Sequence, residues 1–124
     1  MRIENGAGLS RTTRISAREL GELLVAAWKS PLMPEFIASL PLAAVDGTMR
    51  RRLGKSPVAG QAHIKTGYLD GVRAISGYVM DTPGRMMAVV FLINHPDARN
   101  AQAAQDALLE WVQEGYSAGC CGRR

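Results

Sequence analysis

The chain has 124 residues, of which 47% are hydrophobic and 21% charged, a composition typical of one small folded domain rather than of a disordered segment. Lysine and arginine outnumber the acidic residues by only 15 to 11, and 6% of the residues are aromatic. These values argue against a nucleic-acid partner, with a basic nucleic-acid-binding protein kept as the weakest alternative. No segment is long and apolar enough for a transmembrane helix, and no signal peptide is recognisable.

The first half of the chain carries helix signals. Ser16 and Glu19 have the spacing of a capping box, and apolar residues follow at helical intervals, which predicts an amphipathic helix over 16–29. A second, short helix is expected to begin near Pro34. Residues 42–61 are predicted to form a long loop, and a loop of this length in a compact domain is often functional. The arginine run at 50–52 within it is most simply interpreted as solvated.

The second half changes to strand signals. Three apolar segments, the first two separated by the hairpin signal Asp70-Gly71, predict an antiparallel meander with strands over 62–68, 73–80 and 86–93. Gly77 indicates a bulge or a close approach within the second strand. The unbroken apolar run of the third strand is typical of a central strand that is covered on both faces. A last helix is expected to be capped by Asp97 and to end at Gly115.

This order of elements predicts an α+β fold over 1–115, a three-strand meander flanked by helices, followed by a flexible tail over 116–124. Three strands and three helices make a thin core, so the chain is expected to belong to something larger or to self-associate through an exposed apolar sheet. The tail carries Cys120 and Cys121, and adjacent cysteines rarely form a disulfide with each other. No metal or cofactor site is predicted, because His63 and His95 lack a cluster of further ligands. His63 is expected to be a strand histidine that faces solvent.

Lys65, Thr66 and Gly67 form the most informative motif. Lysine supplies a positive charge, the threonine hydroxyl can bind a carboxylate, and glycine lets a substrate backbone approach the strand. The tripeptide K-T-G is one of the motifs of active-site serine enzymes that act on penicillin. Taken alone, the tripeptide also fits a junction between strand and turn that has no function.

Four segments in sequence order carry a family resemblance: residues 5–11, 40–48, 50–52 and 65–72. Together they resemble the end of the class C low-molecular-mass penicillin-binding proteins, the D-alanyl-D-alanine carboxypeptidase/endopeptidase family, over roughly residues 3–115. The resemblance implies part of the penicilloyl-serine transferase fold. It also implies a periplasmic or cell-envelope enzyme that trims or cleaves peptidoglycan peptides.

The resemblance also implies roles for single residues. Lys65 and Thr66 would hold the terminal carboxylate of a peptide ending in D-Ala-D-Ala, and Gly67 would allow its close approach. The backbone N–H of Tyr68 would be one oxyanion-hole donor. The family usually has a small hydroxyl residue after the glycine, so Tyr68 keeps the backbone donor but departs from the family in its side chain.

The nucleophile of such an enzyme is absent from the sequence. No serine has a lysine three residues later or an asparagine two residues later. Because a hydroxyl without an adjacent base is a weak nucleophile, the chain is expected to be inactive alone, with both missing motifs upstream of Met1 in a longer parent. β-Lactams would then acylate only the parent. The alternatives are a non-catalytic peptide-binding module and an inactive remnant.

Overall fold

Three antiparallel strands form the sheet in the computed structural model, which describes residues 1–8 and 10–115. The strands are β1 (Ala62–Leu69), β2 (Val72–Met80) and β3 (Met86–Asn94), hydrogen-bonded in the order β1-β2-β3. A two-residue turn joins β1 to β2, and its Gly71 has a φ of +72° that favours glycine. The predicted meander is therefore confirmed, with boundaries that differ by one residue where they differ at all.

Three α-helices accompany the sheet: α1 (Ala17–Trp28), α2 (Met33–Ala38) and α3 (Gln102–Gln113). The predicted capping box starts α1: the Ser16 hydroxyl accepts from the Glu19 N–H at 3.1 Å, and the Glu19 carboxylate accepts from the Ser16 N–H at 2.8 Å. None of the helices in the described ranges is both long enough and apolar enough to cross a membrane.

The start of α3 differs from the prediction. Asp97 makes no side-chain cap bond and instead precedes a single 3-10 turn over Ala98–Asn100. The helix proper follows Ala101, which also lacks a side-chain cap. The backbone N–H of Asp97 donates to Nδ1 of His95 at 3.0 Å, so this residue takes part in the turn before the helix. The end of α3 is as predicted, because Gly115 follows it with a φ of +95°.

The two faces of the sheet pack against different helices, since side chains alternate along each strand. On the α3 face, Ile64, Ile75 and Val89 belong to one buried cluster with Leu109 and Val112 of α3. This cluster is the main hydrophobic core of the described chain.

On the α1 face, the central group is Tyr78. Its hydroxyl donates to the backbone carbonyl of Leu24 in α1 at 2.7 Å, and its ring contacts Trp28 and Phe36 with centroid distances of 5.4 and 6.4 Å. Burial raises the pKa of Tyr78, which therefore keeps its proton and remains a donor. This contact attaches α1 to the middle strand of the sheet.

The expectation that the third strand lies in the centre is wrong for the described chain, where β2 is central and β3 lies at an edge. Only Val89 is fully buried in β3. The apolar run arises because α1 packs on one face of β3 and the α3 cluster on the other. An apolar run indicates that both faces of a strand are covered. It does not indicate how many neighbouring strands pair with its backbone, which is what makes a strand central or an edge.

Gly77 marks a close approach and not a bulge, because it pairs with Ile64 in an unbroken register. A Cβ atom built on Gly77 would lie 1.9 Å from the carbonyl oxygen of His63. No side chain can occupy that position unless β1 moves away from β2. The glycine is therefore required by the pairing that positions β1.

Gly77→Ala is expected to lower the free energy of unfolding by about 3 kcal/mol, because the added methyl group overpacks the β1–β2 contact. Urea denaturation followed by circular dichroism measures this loss. Gly21→Ala in α1 is the matched control, since nothing lies within 4 Å of the new Cβ, and it should raise stability by up to about 1 kcal/mol. An unchanged urea midpoint for Gly77→Ala would contradict the close approach.

Candidate functional site

The outer edge of β1 is paired at one end and open at the other. The Ile64 N–H donates to the Pro41 carbonyl, and the Ala43 N–H donates to the Ala62 carbonyl, both at 2.8 Å. Alternate residues of a strand direct their N–H and C=O groups to the same edge, so those of Thr66 and Tyr68 also point outward. Neither N–H bonds to another of the residues that the structure describes. The K-T-G motif thus lies on the open part of the edge.

Lys65 and Thr66 lie on opposite faces of the sheet but reach the same edge. The Lys65 side chain is exposed on the α1 face, and its ammonium donates to the Thr66 carbonyl at 2.5 Å. The half-buried Thr66 side chain lies on the α3 face, where its hydroxyl is 2.7 Å from that of Thr48. A cation and a hydroxyl therefore flank the outward-pointing backbone groups.

The loop before β1 holds Thr48 in place. Arg52 of this loop donates from Nε and Nη2 to Oδ1 of Asp106 in α3, at 3.0 and 2.5 Å. The side chains of this pair are only 12% and 23% exposed, so solvent screens the attraction weakly. The interpretation of 50–52 as a solvated arginine run is wrong at Arg52 and right for its exposed neighbours Arg50 and Arg51.

A cavity of about 270 Å³ lies beside the Thr66 side chain. It is lined from β1 and β2 by Thr66, Gly67, Tyr68, Arg73 and Ala74, and from the loop and α3 by Thr48, Arg52, Arg99, Gln102 and Gln105. Thr66 and Gly67 of the motif therefore border a concavity. Lys65 is not part of its lining and meets the motif only at the strand edge.

The Tyr68 ring, 73% exposed, is stacked under a guanidinium. Cζ of Arg73 lies 3.4 Å from the ring centroid, and Nη1 of Arg73 donates to the carbonyls of Leu69 and Val72 at 3.0 and 2.8 Å. This cation–π contact occupies one face of the ring. Sequence reasoning did not identify Arg73, although its place two residues after the Asp70-Gly71 turn makes it the partner of Tyr68 across the hairpin.

The remaining candidates form no site in the described ranges. No group of three or more His, Cys, Asp or Glu residues there could hold a metal ion. His63 is half-buried, and its Nδ1 is buried without a hydrogen bond, so the expectation of a histidine facing solvent is wrong. Cys120 and Cys121 lie outside the described residues, as does the whole predicted tail.

Residues 1–114 match the D-Ala-D-Ala carboxypeptidase 3 (S13) family. The chain belongs to this family. It is 33% identical over 111 residues to a D-alanyl-D-alanine carboxypeptidase of an Actinomadura species, covering 86% of this chain and 20% of that protein. It is 31% identical to Carboxypeptidase DacB of Mycolicibacterium smegmatis, covering 96% of this chain and 26% of that protein.

Solved structures confirm the predicted fold. Penicillin-binding protein 4 (DacB) of Haemophilus influenzae superposes with a TM-score of 0.72 at 23% identity, covering 88% of this chain and 27% of that chain. A structure of the same protein with a β-lactam gives 0.70 at 24% identity, covering 86% and 28%. The chain therefore has part of the penicilloyl-serine transferase fold, and it spans about a fifth to a quarter of the length of its carboxypeptidase relatives.

Arg52→Met is expected to lower the free energy of unfolding by about 2 kcal/mol, because it removes two charge-assisted hydrogen bonds and leaves Asp106 partly buried without its cation. Thermal denaturation of the variant and the unmodified chain, analysed with the same heat-capacity change of unfolding, measures the loss. Arg51→Met removes the same charge from an exposed neighbour and should change stability by less than about 0.5 kcal/mol. Equal effects of the two substitutions would show that the ion pair does not hold the loop.

Proposed function

We propose that this chain provides the substrate-binding edge of a serine-type D-alanyl-D-alanine carboxypeptidase/endopeptidase acting on peptidoglycan peptides, and that the nucleophile comes from residues outside it. The observation that carries the proposal is the open outer edge of β1 at the K-T-G motif. There two backbone N–H groups, an ammonium and a hydroxyl come together beside a cavity. Membership of the carboxypeptidase family supports the same conclusion.

In this proposal the substrate peptide adds to the sheet as an extended segment beside β1. The Lys65 ammonium and the Thr66 hydroxyl bind its terminal carboxylate, with the hydroxyl oriented by Thr48. Gly67 has no side chain that could obstruct the approach of the peptide backbone to the strand. The outward N–H of Tyr68 donates to the oxygen of the scissile carbonyl, where negative charge develops during acyl transfer.

The chemical step then belongs to the longer parent. Its serine would attack the carbonyl between the two D-alanines, form an acyl-enzyme and release D-alanine, and water would hydrolyse the ester. The K-T-G edge would be complemented by that serine, its lysine base and the remaining motif. β-Lactams would acylate the same serine, and the parent would work in the periplasm or cell envelope. The relatives are much longer than this chain, which supports the proposal that the serine and its base lie in another part of the parent.

Incubation of the isolated chain with a fluorescent penicillin should give no labelled band on a denaturing gel, because a hydroxyl without a base is not acylated at a useful rate. The Haemophilus influenzae penicillin-binding protein 4, which has been solved with a β-lactam, serves as the positive control. A covalent adduct that survives denaturation would disprove the absence of a nucleophile.

Thr66→Val should weaken binding of N-acetyl-D-alanyl-D-alanine about tenfold, since it replaces a hydroxyl bonded to a carboxylate by a methyl group of similar size. Isothermal titration calorimetry with the 124-residue chain measures the affinity. Thr12→Val, an exposed threonine away from β1, is the matched control and should leave the affinity unchanged. The absence of any binding by the unmodified chain would favour an inactive remnant over a peptide-binding edge.

A further inference from the structure

The outer edge of β3 carries a row of backbone groups that β2 does not bind. The His95 N–H, just after the strand, donates back to the Gly71 carbonyl, so the odd-numbered residues of β3 direct their backbone groups to β2. Ala88, Val90 and Leu92 alternate with them and direct their N–H and C=O groups outward. Within residues 1–8 and 10–115, no group accepts from these three N–H groups. β3 therefore presents an unpaired ladder.

β3 also lacks the features that commonly protect an edge strand. Charged side chains, proline and β-bulges keep such edges from pairing with another chain. Residues 86–93 contain neither a charge nor a proline. The register with β2 is continuous from Met86 to Asn94, so no bulge twists the edge away. A nine-residue apolar strand without these features is suited to pair with one more strand.

The strand is complementary to a second copy of itself. Val90 lies at the middle of Met86–Asn94 and is one of the residues that face outward. A two-fold axis beside Val90 places two β3 strands antiparallel, with Val90 opposite Val90 and Ala88 opposite Leu92. Opposite residues whose backbone groups face each other exchange two hydrogen bonds in an antiparallel pair. Each outward residue then has a partner, and both strands overlap over their full length.

The side chains on the α1 face fit the same register. Ala88 is exposed and borders an apolar cavity of about 190 Å³ between the sheet and α1. Side chains of directly opposite residues lie on the same face of a sheet, so Leu92 of the second copy comes to lie beside Ala88. A small residue next to a cavity thus meets a large apolar one, and the two-fold axis repeats this contact. The other lining residues are Val25, Trp28, Tyr78 and Met86.

The charges at the two ends of β3 favour the antiparallel arrangement. Arg85 precedes the strand and Asp97 follows it, with side chains 57% and 68% exposed. Antiparallel pairing brings the beginning of one strand beside the end of the other, so Arg85 of each copy approaches Asp97 of the other. A parallel pair would instead bring the two Arg85 side chains together. Opposite charges at the ends select the orientation of the two copies.

We propose that two copies of this chain pair through β3 into one continuous antiparallel sheet with three strands from each copy. An interface that uses the same surface on both copies closes on itself, so assembly stops at the dimer. The K-T-G motif lies on β1, at the opposite edge of each three-stranded sheet, and both motifs therefore remain accessible. This inference does not depend on the proposed function.

Sedimentation velocity of the 124-residue chain should show twice the monomer mass as the protein concentration is raised. Ala88→Lys introduces a charge beside Leu92 of the second copy and should raise the dissociation constant of the dimer at least about tenfold. Because the position is exposed, the variant should keep the circular dichroism spectrum of the unmodified chain. Ala107→Lys adds the same charge at an exposed alanine of α3 and should leave the dimer unchanged.

Amide hydrogen exchange followed by NMR identifies the edge that pairs. The N–H groups of Ala88, Val90 and Leu92 should become protected as the dimer forms, and Ala88→Lys should remove the protection of the last two. The Thr66 N–H on the open edge of β1 should exchange equally fast in monomer and dimer.

Two results would overturn the proposal. A chain that stays monomeric at every concentration would leave the β3 edge to a strand of another protein or of a longer parent. A dimer whose β3 amides stay unprotected would place the interface elsewhere, and protection of Thr66 would place it at β1.

Discussion

Everything at the candidate site depends on β1 being hydrogen-bonded along one side and only half covered along the other. Pairing with β2 holds the strand straight and in register, and the segment around residues 41–43 closes the outer edge only as far as Ile64. Backbone groups beyond that point remain directed outward. Had the loop continued two residues further along the edge, the same motif would have been an ordinary strand with its donors satisfied.

The neighbouring elements act by keeping that half-open edge in one geometry. Gly77 lets β1 and β2 approach each other, and the Arg52–Asp106 ion pair ties the loop to α3 so that Thr48 reaches the Thr66 hydroxyl. These contacts lie on different elements, and together they fix the position of the Thr66 hydroxyl. Preorganisation of this kind is what a binding site needs, because a mobile hydroxyl would lose part of its binding free energy on becoming ordered.

The proposed function divides recognition and chemistry between this chain and the rest of a longer parent, and the family membership and the greater length of the relatives support that proposal. In a carboxypeptidase, recognition of the terminal carboxylate and attack on the carbonyl are separate tasks that different parts of one fold perform. The described chain contains groups suited to the first task. The arginines that line its cavity fit that proposal, since fixed cations bind an anionic terminus.

What the sequence alone determined about this protein is local. The capping box at Ser16, the Asp70-Gly71 hairpin turn, the three strands and the K-T-G motif could all be predicted, because each depends on residues a few positions apart, and the order of four segments was sufficient to indicate the family. Tertiary structure alone decided that β3 is an edge strand among the described residues, that the Asp97 side chain makes no cap bond, and that Arg52 is paired rather than solvated. It also brought Arg99 and Gln105 to the cavity that Thr66 borders. These features join residues as far apart as the 54 positions between Arg52 and Asp106, and such contacts arise from packing of whole elements, which short-range patterns do not encode.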